Sequence, residues 1–168
     1  MNNSNFIYVG NVKIKIGKQK YNYRNSGTEY LFQMLARCLC GLFPSINELP
    51  NYLQFRGIKS DEPREENLLI NPVKVHKEYQ HDNNPQCIIT STISRTDLRT
   101  DISNPLPYEN YEFQLLNSNK SDAESFATIA VVDGADLLSS IQTGNQAFIE
   151  WSLSIGNETK TQQDKETT

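Results

Sequence analysis

Histidine and tryptophan are nearly missing from this chain, at two and one among 168 residues. Imidazole chemistry therefore has only His76 and His81 to draw on, and these lack the tight ligand spacings that structural zinc needs. A site of His76, His81 and Glu78 can be drawn, but two surface histidines are the better reading. Cysteine is scarce and odd in number, with Cys38, Cys40 and Cys87. That fits a reducing compartment better than a disulfide framework, and free, mostly buried thiols are expected. No apolar run approaches the ~18 residues of a transmembrane helix, and Met1-Asn-Asn-Ser-Asn5 has neither the basic nor the apolar region of a signal peptide. The expectation is a chain made in a cytoplasm, with no membrane partner. Basic blocks are also missing, and the net charge is -4, so the electrostatic footprint for duplex nucleic acid is lacking. Neither G-x-x-x-x-G-K-[ST] nor G-x-G-x-x-G occurs, which leaves no phosphate-binding loop and no expected cofactor.

What is present is period-two alternation. In Gln146-Ala-Phe-Ile-Glu-Trp-Ser-Leu-Ser-Ile155, the residues Ala147, Ile149, Trp151, Leu153 and Ile155 fall on one face, as in a half-buried strand. Phe148 lies out of phase, with Glu150 and Ser152, and becomes a candidate contact. Val12-Lys-Ile-Lys-Ile16 alternates too, and Gly17-Lys18 then supplies a two-residue turn of type II′. Pairing Ile16 with Gln19 sets Ile14 opposite Tyr21 and Val12 opposite Tyr23. Lys13, Lys15 and Lys20 are left on the other face, which is either solvated or met by an acidic partner.

One helix is predicted, at about residues 28–40. Ser26-Gly-Thr-Glu29 has the spacing of a capping box, and Leu31, Met34, Leu35, Cys38, Leu39 and Leu42 follow at helical spacing. Gln33 and Arg37 interrupt this stripe, Gly41 stands where a C′ residue belongs, and Pro44 prevents resumption. The stripe either covers the end of a sheet packing or meets a neighbouring subunit. The chain from Pro44 to Pro72 reads as irregular, with a strand candidate at Tyr52-Leu-Gln-Phe55 and a long charged loop over 56–72. Further strands are expected at Val73–Tyr79, Cys87–Ser94, Tyr111–Leu116 and Phe126–Val132, with the first two paired antiparallel. Asp133-Gly134 is expected to turn, and 137–141 to be short and helical or irregular. The fold expected is mainly β: an antiparallel β-sandwich with one amphipathic helix packed on it, a single domain over 1–157. The polar tail 158–168 is expected to be disordered or ordered only by a partner.

No catalytic constellation emerges. Cys38 and Cys40 stand at i and i+2, on different sides of a helix, and cannot clamp a metal together. Asp61, Glu62, Glu65 and Glu66 sit in a charged loop, not on rigid strands at the fixed separation glycoside hydrolysis demands. The contact candidates are Leu31, Leu35 and Arg37 on the helix, Asp61, Glu62 and Arg64 in the loop, and Phe148 and Glu150 on the last strand.

Three segments, in order, carry a resemblance. The segment Asn25-Ser-Gly-Thr-Glu-Tyr-Leu-Phe-Gln-Met-Leu-Ala-Arg-Cys-Leu-Cys-Gly41, the step Asn47-Glu-Leu-Pro-Asn-Tyr-Leu-Gln-Phe55, and the strands at 126–132 and 143–157 resemble small virion structural proteins of tailed bacteriophages. The resemblance implies a β-sandwich subunit of a tail, collar or head-to-tail connector ring, without catalytic residues. It implies partners among other copies and other virion proteins. The rival expectation is a carbohydrate- or receptor-binding sandwich whose loops at one end present aromatics and amides to a glycan, Tyr108 and Tyr111 among them.

Overall fold

The computed structural model describes residues 6–58, 67–81, 86–99 and 108–157. Ten strands and two helices are present: β1 (Phe6–Ile16), β2 (Gln19–Gly27), α1 (Glu29–Leu39), β3 (Tyr52–Ile58), β4 (Asn67–Leu68), β5 (Val73–Lys74), β6 (His76–Gln80), β7 (Gln86–Ile93), β8 (Asn110–Leu116), β9 (Ser125–Ala130), α2 (Gly134–Gln142) and β10 (Ala147–Asn157). All pairings are antiparallel, in the order β4-β3-β8-β9-β2-β1-β10-β7-β6, with β5 also on β3. This is a mainly β, sandwich-like arrangement of two sheets.

The chain passes from one sheet to the other within β2 and again between β5 and β6. Residues up to Asn25 of β2 pair with β1, whereas Ser26 and Gly27 pair with β9. At the far edge, β5 pairs with β3 and β6 with β7, with only Val75 between them. The segment read as one strand from Val73 to Tyr79 is thus divided at a corner, where the Val75 amide donates to the Asn51 carbonyl at 3.0 Å.

The β1–β2 hairpin has the register the turn dictates, with Ile16 on Gln19, Ile14 on Tyr21 and Val12 on Tyr23. Gly17 takes φ +55 and no non-glycine residue among those described has positive φ. Only the first turn position is left-handed, as type II′ requires and type I′ does not allow. Lys15 does face Lys20. Lys13 meets an acid within the chain, its Nζ lying 3.0 Å from Glu150 Oε1 on β10.

The core lies between the sheets. Val12, Trp151 and Ile89 form one cross-strand row in the first sheet, and Phe55 and Phe113 stack with ring centroids 4.4 Å apart in the second. All five side chains are essentially inaccessible to water. Burying each such side chain contributes about 1.5–3 kcal/mol before the cost of ordering the chain.

The helices cover opposite ends. α1 packs against the start of β9, where Tyr30 meets Phe126 edge-on at 4.9 Å. α2 packs at the other end, where Gly134 lies against the Tyr111 side chain at the start of β8. The stretch 137–141, expected to be helical or irregular, belongs to a helix that already begins at Gly134. Asp133 is its N-cap and Gly134 its first residue, and Leu137, Leu138 and Ile141 are buried on one face.

Two local expectations change. The N-cap of α1 is Thr28, not Ser26, because pairing of Ser26 and Gly27 with β9 keeps the backbone extended that far. Thr28 accepts from the Leu31 amide at 3.4 Å, its hydroxyl donates to the Ser125 carbonyl, and its amide donates to the Phe126 carbonyl at 3.1 Å. The stretch 56–72 is not one loop: Arg56–Ile58 continue β3, Asn67–Leu68 form β4, and Leu69 and Ile70 are fully buried. The apolar run at 68–70 reaches the core, and Ile70 bridges to Leu98.

Candidate functional site

α1 ends in a Schellman motif. The Leu42 amide donates to the Arg37 carbonyl at 2.9 Å and the Gly41 amide to the Cys38 carbonyl at 3.0 Å, with Gly41 at φ +77. This satisfies the last helical carbonyls and turns the chain sharply. The turn carries apolar side chains away from the sandwich. Leu39 is 90% exposed, Leu42 59%, Phe43 78% and Ile46 73%. Phe32, one helical repeat before Leu39 on the same face, is also exposed. Of the helical stripe read from the sequence, Leu31 and Met34 are buried and Leu35 and Cys38 half-buried, while Leu39 and Leu42 stand in water.

This ridge is held in place by Arg37 and Glu48. Arg37 Nη1 lies 2.7 Å from Glu48 Oε1, and Glu48 Oε2 accepts from the Ser45 amide at 2.8 Å. Ser45 and Glu48 form a capping box on the short 3-10 turn Ile46–Glu48. Arg37 first, then Ser45, holds the Glu48 carboxyl down at about 2, and Glu48 in turn raises the Arg37 guanidinium. The chain from Gly41 to Glu48 is therefore fastened to the helix at both ends.

Beside the ridge runs an apolar groove of about 410 Å³, floored by Leu31, Met34, Phe126 and Leu153 and walled by Pro44 and Tyr79. Cys38 and Cys87 also line it, and both thiols are free and half-buried. Burial pushes the Cys87 thiol up, against a smaller opposing pull from Lys77. Cys40, expected to be buried, is exposed because it is the C-cap and faces away from the packing side. Leu31 and Leu35 thus sit on the side of α1 that packs on the sandwich and edges the groove, with Arg37 on the ridge side.

The remaining predicted contacts are spread widely. Phe148, 37% exposed, and Glu150 lie on the outer face of the first sheet, beside Lys15 and Lys13 on β1. Asp61, Glu62 and Arg64 lie outside the described residues, as does the tail 158–168. Tyr111 is buried and meets Tyr108 edge-on at 5.8 Å, so these two tyrosines face inward instead of forming a glycan platform. His76 and His81 are exposed, and among the described residues no three histidine, cysteine or carboxylate side chains converge as a metal site. Among these residues, too, no helix is long and apolar enough to cross a membrane.

Comparison with family models, with curated proteins and with solved structures gives no match. The chain's own surface therefore carries the functional argument. Sequence reasoning missed Phe43 and Ile46. The available signal was Pro44 after a C′ glycine: it halts the helix, and apolar residues past such a stop need not share the helix's buried face.

Proposed function

We propose that this chain is a non-enzymatic structural subunit of a tailed-phage virion, of the tail, collar or connector-ring class. It acts through subunit–subunit contacts, is made in the bacterial host cytoplasm and is carried in the particle. The observation that supports assembly is the ridge of Leu39, Leu42, Phe43 and Ile46 beside an apolar groove on the same end of the molecule. With Phe32, five large apolar side chains are each at least half exposed, and a stable interface takes roughly 800 Å² per partner. Exposed apolar patches larger than a few hundred Å² mark contact sites. The occupant is a second copy of this chain, whose ridge enters the groove. Adjoining protrusion and recess allow either a two-fold pair or a closed ring. The phage assignment is supported by the segments at 25–41, 47–55, 126–132 and 143–157.

Native mass spectrometry of the full chain tests assembly, and electron microscopy of particles tests the setting. Closed oligomers are expected, dissolved to monomers by Phe43→Glu without loss of melting temperature. A parent chain that stays monomeric at high concentration rules the reading out.

A further inference from the structure

The second sheet carries, on its outer face, a cleft that shares only Ile46 with the apolar ridge. Leu53 and Phe55 of β3 point into the core, so Tyr52, Gln54 and Arg56 point outward. Gln54 pairs with Gln114 on β8, and Gln114 with Thr128 on β9, giving a polar row across three strands. The β8–β9 loop stands over this row as a wall. Its base is closed by Asn117, whose amide donates to the Glu124 carbonyl at 3.1 Å and whose side-chain oxygen accepts from the Glu124 amide at 2.9 Å.

Two lobes of about 640 and 590 Å³ result, sharing Asn119 and Lys120. The first presents Asn47, Tyr52, Lys74 and Ser118, and the second Gln54, Gln114, Ser121 and Glu124. Each lobe has the size of a small-ligand site.

Charge in the cleft is balanced. Arg56 is tied to Glu112, with Nη2 to Oε1 at 2.7 Å, and the remaining Lys74 and Lys120 are matched by Asp122 and Glu124. A phosphate or polyanion would need a cationic excess that is not there. Strand addition is closed off as well, because β3 is paired on both edges, by β8 and by β4 and β5. Among the apolar Val75, Leu68, Pro72 and Leu116 there remains a set of primary amides and hydroxyls, each both donor and acceptor, beside the half-buried ring of Tyr52. Sugar hydroxyls are also both donor and acceptor, and an amide meets two neighbouring hydroxyls at once.

We infer that this cleft binds a neutral oligosaccharide, laid across the Gln54–Gln114 floor with its ends in the two lobes. Asn51 takes no part: its amide donates to the Ile46 and Asn117 carbonyls and its oxygen accepts from Lys77. Asn119, Lys120 and Gln54 make the contacts that distinguish a ligand.

The full chain is applied to an array of neutral and acidic oligosaccharides, and the best neutral ligand is then titrated in solution by calorimetry. The Phe43→Glu chain serves as a second background, free of any avidity from assembly. Binding of a neutral oligosaccharide is expected in both backgrounds. Gln54→Leu and Asn119→Ala are each expected to weaken it about tenfold with unchanged melting temperature, since each deletes a ligand hydrogen bond. Binding confined to acidic glycans, no binding on the array, or full binding by both variants overturns the inference. Loss of assembly alone leaves the titration intact, so the two readings fail separately.

Discussion

Arg37 Nη1 and Glu48 Oε1 stand 2.7 Å apart across the turn that ends α1, and this contact sets where Leu42, Phe43 and Ile46 point. The Glu48 carboxyl lies at about 2, below its ordinary 4.5. A depressed folded value means the contact stabilises fully above about pH 4.5 and is lost as pH falls toward 2. Carbon-detected NMR titration of Glu48 should give that low midpoint, and Arg37→Ala should return it toward 4.5. Both groups are partly exposed, so salt screens the pair and global stability should hardly move.

Gly134 is a packing requirement. A Cβ there would sit 2.2 Å from the Tyr111 Cβ, which is held by Phe55 and Tyr108. Gly134→Ala should cost about 1–3 kcal/mol in urea unfolding, the usual scale for overpacking. Gly41→Ala meets nothing within 4 Å but must hold φ +77, so it should cost about 1–2 kcal/mol from backbone strain alone. Equal stability of the Gly134 variant and the parent would show that the two layers do not hold Tyr111 in place.

Trp151 is the single tryptophan, fully buried, and among the described residues its indole N–H has no hydrogen-bond partner. Its fluorescence should therefore report global unfolding, with blue-shifted native emission that moves red in one step. Trp151→Ala should cost about 3–5 kcal/mol through the cavity it leaves. Trp151→Phe, followed by circular dichroism, should cost far less, because it also removes an unsatisfied buried donor.

Lys15 faces Lys20 across the β1–β2 hairpin, with both side chains in water. Lys20→Glu should stabilise the chain by about 0.2–1 kcal/mol, as cross-strand charge pairs do. The gain should shrink as salt is added, and a salt-independent gain would point to some other cause.

Local rules made much of the fold readable in advance. A two-residue turn with glycine first leaves one register, and β1 and β2 adopt it. β10 was equally plain because Ala147, Ile149 and Trp151 alternate with water-facing neighbours. α2 was obscured because Asp133-Gly134 suits a turn as well as a helix start, and only the closeness of Tyr111 explains the glycine. The ridge was hidden for another reason: spacing says which residues share a side of α1, not where its cover stops. The amide cleft was beyond local reading, since Gln54, Gln114 and Asn119 meet only through the pairing of β3 with β8.

The β1–β10 ladder places Phe6 opposite Asn157 and Ile16 opposite Ala147. Phe6 and Asn157 therefore lie side by side at one end of the ladder. A load applied between Phe6 and Asn157 acts across the strands and breaks the ladder's hydrogen bonds one after another, like a zipper. The same load between Ile16 and Asn157 runs along the strands and strains many bonds together. Pulled at Phe6 and Asn157, this fold yields gradually to tension, whereas gripped at Ile16 and Asn157 it resists as a brace.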